Sequence, residues 1–222
     1  MIRDSNQHLL EQLIASPKLP QYAEQLQAVL AREALKRQDF YNQISEDDKA
    51  EFINGEIIFH SPVRLRHNTA SGNLYRLLSS YVIAYDLGYV GHEKIMVSLT
   101  RNDYEPDVCY FAKKTASQFL PDQMRFPAPD FAVEVVSKST EANDRGIKFA
   151  DYAAHGVAEY WIIDPEAETV EQYQLQEESY MLLVKAKTGR LESVAVAGFA
   201  IPVRAIFDDA VSREALHTLL RD

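Results

Sequence analysis

The sequence predicts one α/β domain, a mixed and mostly central sheet flanked by helices, carried behind an N-terminal helical extension. Three observations predict it. Apolar residues recur at helical spacing near the start of the chain; the pattern then changes to short apolar runs bounded by turn residues; and amphipathic helical stretches fall between those runs. Of 222 residues 46% are hydrophobic and 25% charged, enough to bury a sizeable core and too apolar for a disordered chain.

Each element follows from its local pattern. Leu9, Leu10, Leu13 and Ile14 mark a first helix, broken by Pro17 and Pro20, and Leu26, Val29, Leu30 and Ala34 mark a second between Tyr22 and Arg37. These helices form an extension over residues 1–38, ahead of a domain over 39–222. Glu51 to Ile58 is two apolar runs around Asn54-Gly55, a hairpin signal, because that turn needs positive φ at both central residues. Leu74, Leu77, Leu78, Tyr81, Val82 and Tyr85 line one face of a helix from about His67 to Asp86, stopped by Gly88. Strands are expected at Val90–Leu99 and Val108–Ala112, then a Pro-bearing loop from Lys113 to Pro129. A buried strand at Asp130–Val136, a helix at Glu141–His155 closed by Gly156, and a buried strand at Glu159–Pro165 follow. The pattern ends with strands at Val170–Leu175, Tyr180–Lys185 and Leu191–Val196, and a helix from about Ser212 to Leu220.

Several function classes are disfavoured. A lone cysteine, Cys109, can form neither an internal disulfide nor a cysteine metal site by itself. The first residues lack the apolar core of a secretory signal, and no apolar run approaches the ~18 residues of a membrane span, so a soluble, cytoplasmic protein is expected. No Gly-rich phosphate loop, HExxH or Gly-x-Ser-x-Gly elbow occurs. The net charge of −10, from 23 basic and 33 acidic residues, means that binding nucleic acid requires a local basic patch or a bound cation.

The chemistry concentrates around Phe131-Ala-Val-Glu134-Val-Val136. A carboxylate inside an apolar strand is costly to bury unpaired. Side chains alternate along a strand, so Ala132, Glu134 and Val136 share a face. A salt bridge to an arginine across the sheet is the structural alternative for Glu134. Asp107 opens the preceding strand after Pro106; if the two strands pair, Asp107 and Glu134 lie at adjacent strand ends and can share a divalent cation. Oxygen-only ligands favour Mg²⁺ or Mn²⁺. Asp107 could equally be a turn former after proline. Lys148, with Asp144 four residues before it and Tyr152 four after, sits where an ammonium can reach towards Glu134, unless it is an ordinary surface lysine paired with Asp144; Lys138 competes for the role.

This acid–acid–lysine order resembles the PD-(D/E)XK nuclease superfamily and, more specifically, the Uma-two family of restriction endonucleases. The matching stretches are Glu51-Phe-Ile-Asn-Gly-Glu-Ile-Ile, His67 at the head of the long helix, Glu105-Pro-Asp-Val-Cys-Tyr-Phe and Pro129-Asp-Phe-Ala-Val-Glu-Val-Val-Ser-Lys-Ser-Thr. Asp144 with Lys148 and Tyr152, and Gly156-Val-Ala-Glu-Tyr-Trp-Ile-Ile-Asp-Pro, continue the match over roughly residues 40 to 210. The resemblance implies a restriction-endonuclease-like fold, with Asp107, Glu134 and the main-chain carbonyl of Val136 as ligands of Mg²⁺, or of Mn²⁺ in its place. Val136 stands where the superfamily's lysine belongs, and the family supplies that lysine from the next helix, which favours Lys148 over Lys138. Glu51 matches an acidic position near the metal centre, and His67 a family position. The implied activity is metal-dependent hydrolysis of DNA. Arg64, Arg66, Lys138 and Arg145 fall near the site in sequence and could form the basic rim that the charge demands, and cutting both strands favours a homodimer whose contact the N-terminal helices could supply. The alternatives are a non-catalytic module that binds nucleic acid or protein on the same scaffold, and sugar hydrolysis by Asp107 and Glu134 as an acid–base pair.

Overall fold

The computed structural model describes residues 5–221. Helix α1 (Ser5–Ala15) and helix α2 (Leu19–Gln43) come first. Pro20 lies in the first turn of α2, where its missing N–H is no loss. α2 runs on into the body: Phe40 is buried against Phe52, and the Arg37 guanidinium forks onto Asp103 at 2.6 and 2.7 Å. Strands β1 (Ala50–Ile53) and β2 (Glu56–Phe59) form the expected hairpin, with Asn54 and Gly55 at φ 50° and 83°.

Helix α3 (Leu65–Ala84) follows, then β3 (Gly88–His92) and β4 (Met96–Ser98). One strand was expected there, but Glu93 and Lys94 both take left-handed φ values, 48° and 35°, which turn the chain so that β3 and β4 join different sheets. β5 (Asp103–Tyr104), β6 (Val108–Ala112), a short α4 (Lys113–Ala116) and β7 (Arg125–Phe126) lead to β8 (Phe131–Val135). The next helix is interrupted into α5 (Glu141–Arg145) and α6 (Ile147–Ala154) at Gly146, where a Cβ would lie 2.7 Å from the Ala142 carbonyl oxygen. β9 (Glu159–Asp164), β10 (Thr169–Gln176), β11 (Ser179–Ala186), β12 (Arg190–Glu192), β13 (Ala200–Pro202), a 3₁₀ turn (Val203–Ile206) and α7 (Asp209–Leu219) complete the chain.

The expected central sheet resolves into a six-stranded sheet, β11-β10-β9-β8-β6-β3, and a five-stranded one, β2-β1-β5-β4-β7, with β12 and β13 as a separate pair. In the larger sheet β8 and β9 are parallel and the other neighbours antiparallel. Leu74, Leu77, Leu78 and Val82 of α3 pack with Val108, Tyr110, Val133, Val135, Trp161 and Ile163, each aliphatic side chain contributing about 1.5–3 kcal/mol. Cys109, Ala132 and Ile162, of opposite phase, pack with Tyr152 of α6 and with Ile53, Val97 and Tyr104 of the smaller sheet. Glu134 shares the phase of Ala132 and so enters this second layer, between the two sheets.

Candidate active site

β6 and β8 pair in register Val108↔Val133, so Asp107, just before β6, sits beside the end of β8. The ladder stops there because Pro106 has no N–H to offer and the chain has turned. Val135 N–H, left without a backbone acceptor, donates to Asp107 Oδ2 at 2.7 Å. His67, in the first turn of α3, places Nε2 3.4 Å from the same oxygen, and Lys49 Nζ lies 3.8 Å from Oδ1. Burial pushes the Asp107 carboxyl up, but His67, Lys49 and the Val135 N–H outweigh it and hold it below the usual carboxylate range. His67 is raised in turn: burial disfavours its cation, and Asp107 more than compensates.

Lys148 is the centre of a second group. Its side chain is 2% exposed, and its Nζ lies 2.8 Å from Glu51 Oε1, 3.2 Å from Glu134 Oε1 and 3.2 Å from Asp144 Oδ1. Asp144, one helical turn earlier, reaches it across the break at Gly146. Burial opposes the ammonium, yet three carboxylates hold it protonated, well above the ordinary lysine value. Tyr152 donates to Glu134 Oε1 at 3.3 Å, and Glu105 N–H donates to Glu51 Oε1 at 2.9 Å. Glu51 is held low: burial raises it, while Lys148 and then His60, whose Nε2 is 3.3 Å from Oε2, pull it down further. Glu134 is pushed well above the carboxylate range by burial and by the neighbouring Asp144, Glu51 and Asp107, with Lys148 acting against them.

A cleft of about 520 Å³ opens over these groups, lined by Asp107, Glu134, Val136, Asp144, Lys148 and His67 among others. Among the described residues no three His, Cys, Asp or Glu side chains form a ready-made metal cage. The donor set suits a hard ion that keeps its waters. Glu51, Asp107, Glu134 and Asp144 bring four carboxyl groups beside Lys148 and Lys49, and the upward push on Glu134 and Asp144 is what a divalent cation would relieve. Val136 N–H donates to the Ile163 carbonyl at 2.8 Å, and the next donor in this parallel ladder would be residue 165, a proline. The Val136 carbonyl is thus denied a strand partner at the mouth of the cleft.

The candidate residues therefore meet: Asp107, Glu134, Lys148, His67 and Val136 line one cavity, and Glu51 is buried behind it against Lys148. Lys138 is exposed on its rim, and Lys148, not Lys138, contacts Glu134. Arg64 and Arg66 also line the rim, whereas Arg145 turns away to Glu141 and Glu171, 2.8 Å from each. Sequence reasoning missed Lys49, His60 and Glu105. Glu105 is buried, and burial, then Glu51, push it up to about 7. Two of the three had a signal, since Lys49 and Glu105 stand two residues before Glu51 and Asp107 and share their strand phase.

The family model described as "Putative restriction endonuclease" matches residues 37–204. The chain belongs to this family, Uma2. Among curated proteins it is similar to two uncharacterized proteins of Synechocystis, sll1609 and slr1290. The first is 31% identical over 131 residues, 57% of this chain and 72% of that one. The second is 27% identical over 163 residues, 70% of this chain and 83% of that one. Among solved structures, one described as a putative nuclease belonging to DUF820 from Anabaena variabilis superposes with a TM-score of 0.66. It is 17% identical, and the match covers 77% of this chain and 96% of that one. The Uma2 chain has the restriction-endonuclease-like fold that its sequence predicts.

Proposed function

We propose that this Uma2 protein is a divalent-metal-dependent endonuclease that hydrolyses DNA phosphodiester bonds. The observation that carries the reading is the buried Lys148 ammonium, 2.8 Å from Glu51 and 3.2 Å from Glu134, in the wall of a cleft that Asp107 also lines. Asp107, Glu134 and the Val136 carbonyl are the groups assigned to hold Mg²⁺, with Mn²⁺ as a substitute. The bound ion supplies Lewis-acid polarisation of the scissile phosphate and a lowered pKa for a coordinated water. Lys148 orients the attacking water and balances the charge that develops on the phosphate. Glu51 and Asp144 fix the ammonium, and His67 keeps Asp107 ionised. Arg64, Arg66 and Lys138 on the rim meet the phosphates, the local basic patch that the net charge of −10 makes necessary.

In this reading residues 1–38 are an extension through which two copies of the 39–222 domain pair in the cytoplasm. No helix among the described residues is long and apolar enough to cross a membrane. The test is cleavage of plasmid and linear DNA in Mg²⁺ or Mn²⁺. Asp107→Ala and Glu134→Ala are expected to abolish cleavage with the circular-dichroism spectrum intact; undiminished cleavage by both excludes the assignment. The acidic balance favours a second reading, a non-cleaving module that binds nucleic acid or protein, for which calorimetry would detect no Mg²⁺ or Mn²⁺ binding at millimolar metal.

A further inference from the structure

The stretch from β2 through the first residue of α3 carries an outer face that the hydrolysis does not use. Ile57, Phe59, Val63 and Leu65 are 38%, 69%, 45% and 80% exposed. Single exposed apolar side chains are ordinary on a protein surface. Here four fall within nine residues: Val63 lines the cleft, and Phe59 and Leu65 stand next in sequence to the lining residues His60, Arg64 and Arg66. His60 and His67 turn inward, their Nε2 atoms 3.3 Å from Glu51 and 3.4 Å from Asp107. Those two contacts place both ends of the segment beside the site. Arg64 and Arg66 flank Leu65, are exposed, and line the cleft. Arg66 lies 3.6 Å from Glu166, and Arg64 has no ion-pair partner among the described residues. β2 is also the edge strand of its sheet, and Phe59 at its end is 69% exposed.

We infer that Phe59 and Leu65 form a wedge that enters the DNA duplex beside the cleavage point and unstacks a base step, so that the substrate is DNA opened at the cut. The inference rests on the nuclease reading and deepens it. Apolar side chains inserted between base pairs open a step at a cost that phosphate contacts on either side must offset, and an aromatic face then stacks on the freed base. The rim and its flank supply each part: Arg64 and Arg66 on the rim are complementary in charge to the phosphates, the exposed Leu65 stands between them in sequence, and the exposed Phe59 offers the ring. Because His60 and His67 face the site carboxylates from the same stretch of chain, an opened step lies next to the cleft and not at a distance from it.

The experiment follows fluorescence of the full-length protein mixed rapidly with duplexes carrying 2-aminopurine at successive positions, in Mg²⁺ and in Mn²⁺, with cleavage products sampled in parallel. A fluorescence rise that precedes product, at one or two adjacent positions, is expected for the wild type. Phe59→Ala and Leu65→Ala should remove it and raise the ratio of cleavage on a pre-opened, mismatched duplex to that on a paired one about tenfold. Leu120→Ala, an exposed leucine in the loop before β7, should leave both readouts as in the wild type. Cleavage of paired duplex with no fluorescence rise overturns the wedge and leaves the nuclease standing. A rise with no cleavage of any DNA does the reverse. If sedimentation shows a wild-type dimer that Leu65→Ala dissociates, with DNA fluorescence unchanged, the face is a protein interface and the inference fails.

Discussion

Replacing Lys148 by methionine perturbs the buried cluster at its centre. Methionine keeps most of the aliphatic length and removes the charge, leaving Glu51, Glu134 and Asp144 facing one another with no ammonium among them. Removing one partner of a buried ion pair costs about 3–5 kcal/mol. Three carboxylates lose their partner here, yet the cost does not triple, because a buried acid deprived of its counter-charge takes up a proton instead. The sign follows from the directions already present. Burial, first, raises Glu134 and Asp144, and Lys148 is what pulls them and Glu51 down. Without it Glu134 and Asp144 titrate still further above the ~4.3 of an unfolded glutamate and ~3.9 of an aspartate, and Glu51 loses the largest of its downward pulls. A carboxyl raised on folding costs nothing below its unfolded pKa and destabilises increasingly as pH climbs towards its folded value. The variant should therefore trail the wild type by about 3–5 kcal/mol near pH 8, with the gap narrowing towards pH 5. Urea unfolding followed by the fluorescence of Trp161, the single and fully buried tryptophan, measures it. A gap under about 1 kcal/mol, or one that does not change with pH, would refute the account of the cluster as three acids held by one base.

Other perturbations reach the neighbouring features. His67→Ala should weaken Mn²⁺ binding about ten- to a hundredfold, since it removes the group that holds Asp107 ionised and oriented; calorimetry at pH 7 reads it, and unchanged affinity would leave His67 without that role. Arg37→Ala strands the fully buried Asp103, which keeps only the Tyr41 hydroxyl at 2.8 Å, and should cost about 3 kcal/mol in chemical denaturation. Gly88→Ala would put a Cβ 2.0 Å from the Phe111 carbonyl oxygen, at φ +150°, so β3 must shift and the melting temperature should fall by at least ~5 °C. An unchanged melting temperature would mean that β3 is not held where it is described.

Much of this was legible in the sequence wherever one local rule decided the outcome. Asn54-Gly55 could hardly be other than a two-residue turn, and the alternation of Phe131 to Val136 put Glu134 opposite Val133 and Val135. The order Asp107, Glu134, Lys148 was readable because antiparallel pairing of two neighbouring strands brings one strand's start beside the other's end. What was hidden depends on the whole molecule. Glu93 and Lys94 are not turn formers by type, and their left-handed conformation serves a change of sheet that no local pattern announces. The break at Gly146 reads in sequence as a tolerated glycine within a helix. His60 lies past the end of its strand and Arg145 at the exposed end of α5, so whether each faces the cleft is set by tertiary packing.

Pro165 has a chemical consequence beyond its place at the end of β9. An imino acid on one strand leaves an oxygen vacant on the next, at Val136. Carboxylates offered to a cation lose their charge when acidified, but an amide oxygen has no proton to gain in any pH range where the protein is folded. Pro165→Ala would restore a competing N–H and draw that oxygen back into the ladder, making the cleft's affinity for a cation depend on acids alone and fall off sooner as the solution is acidified.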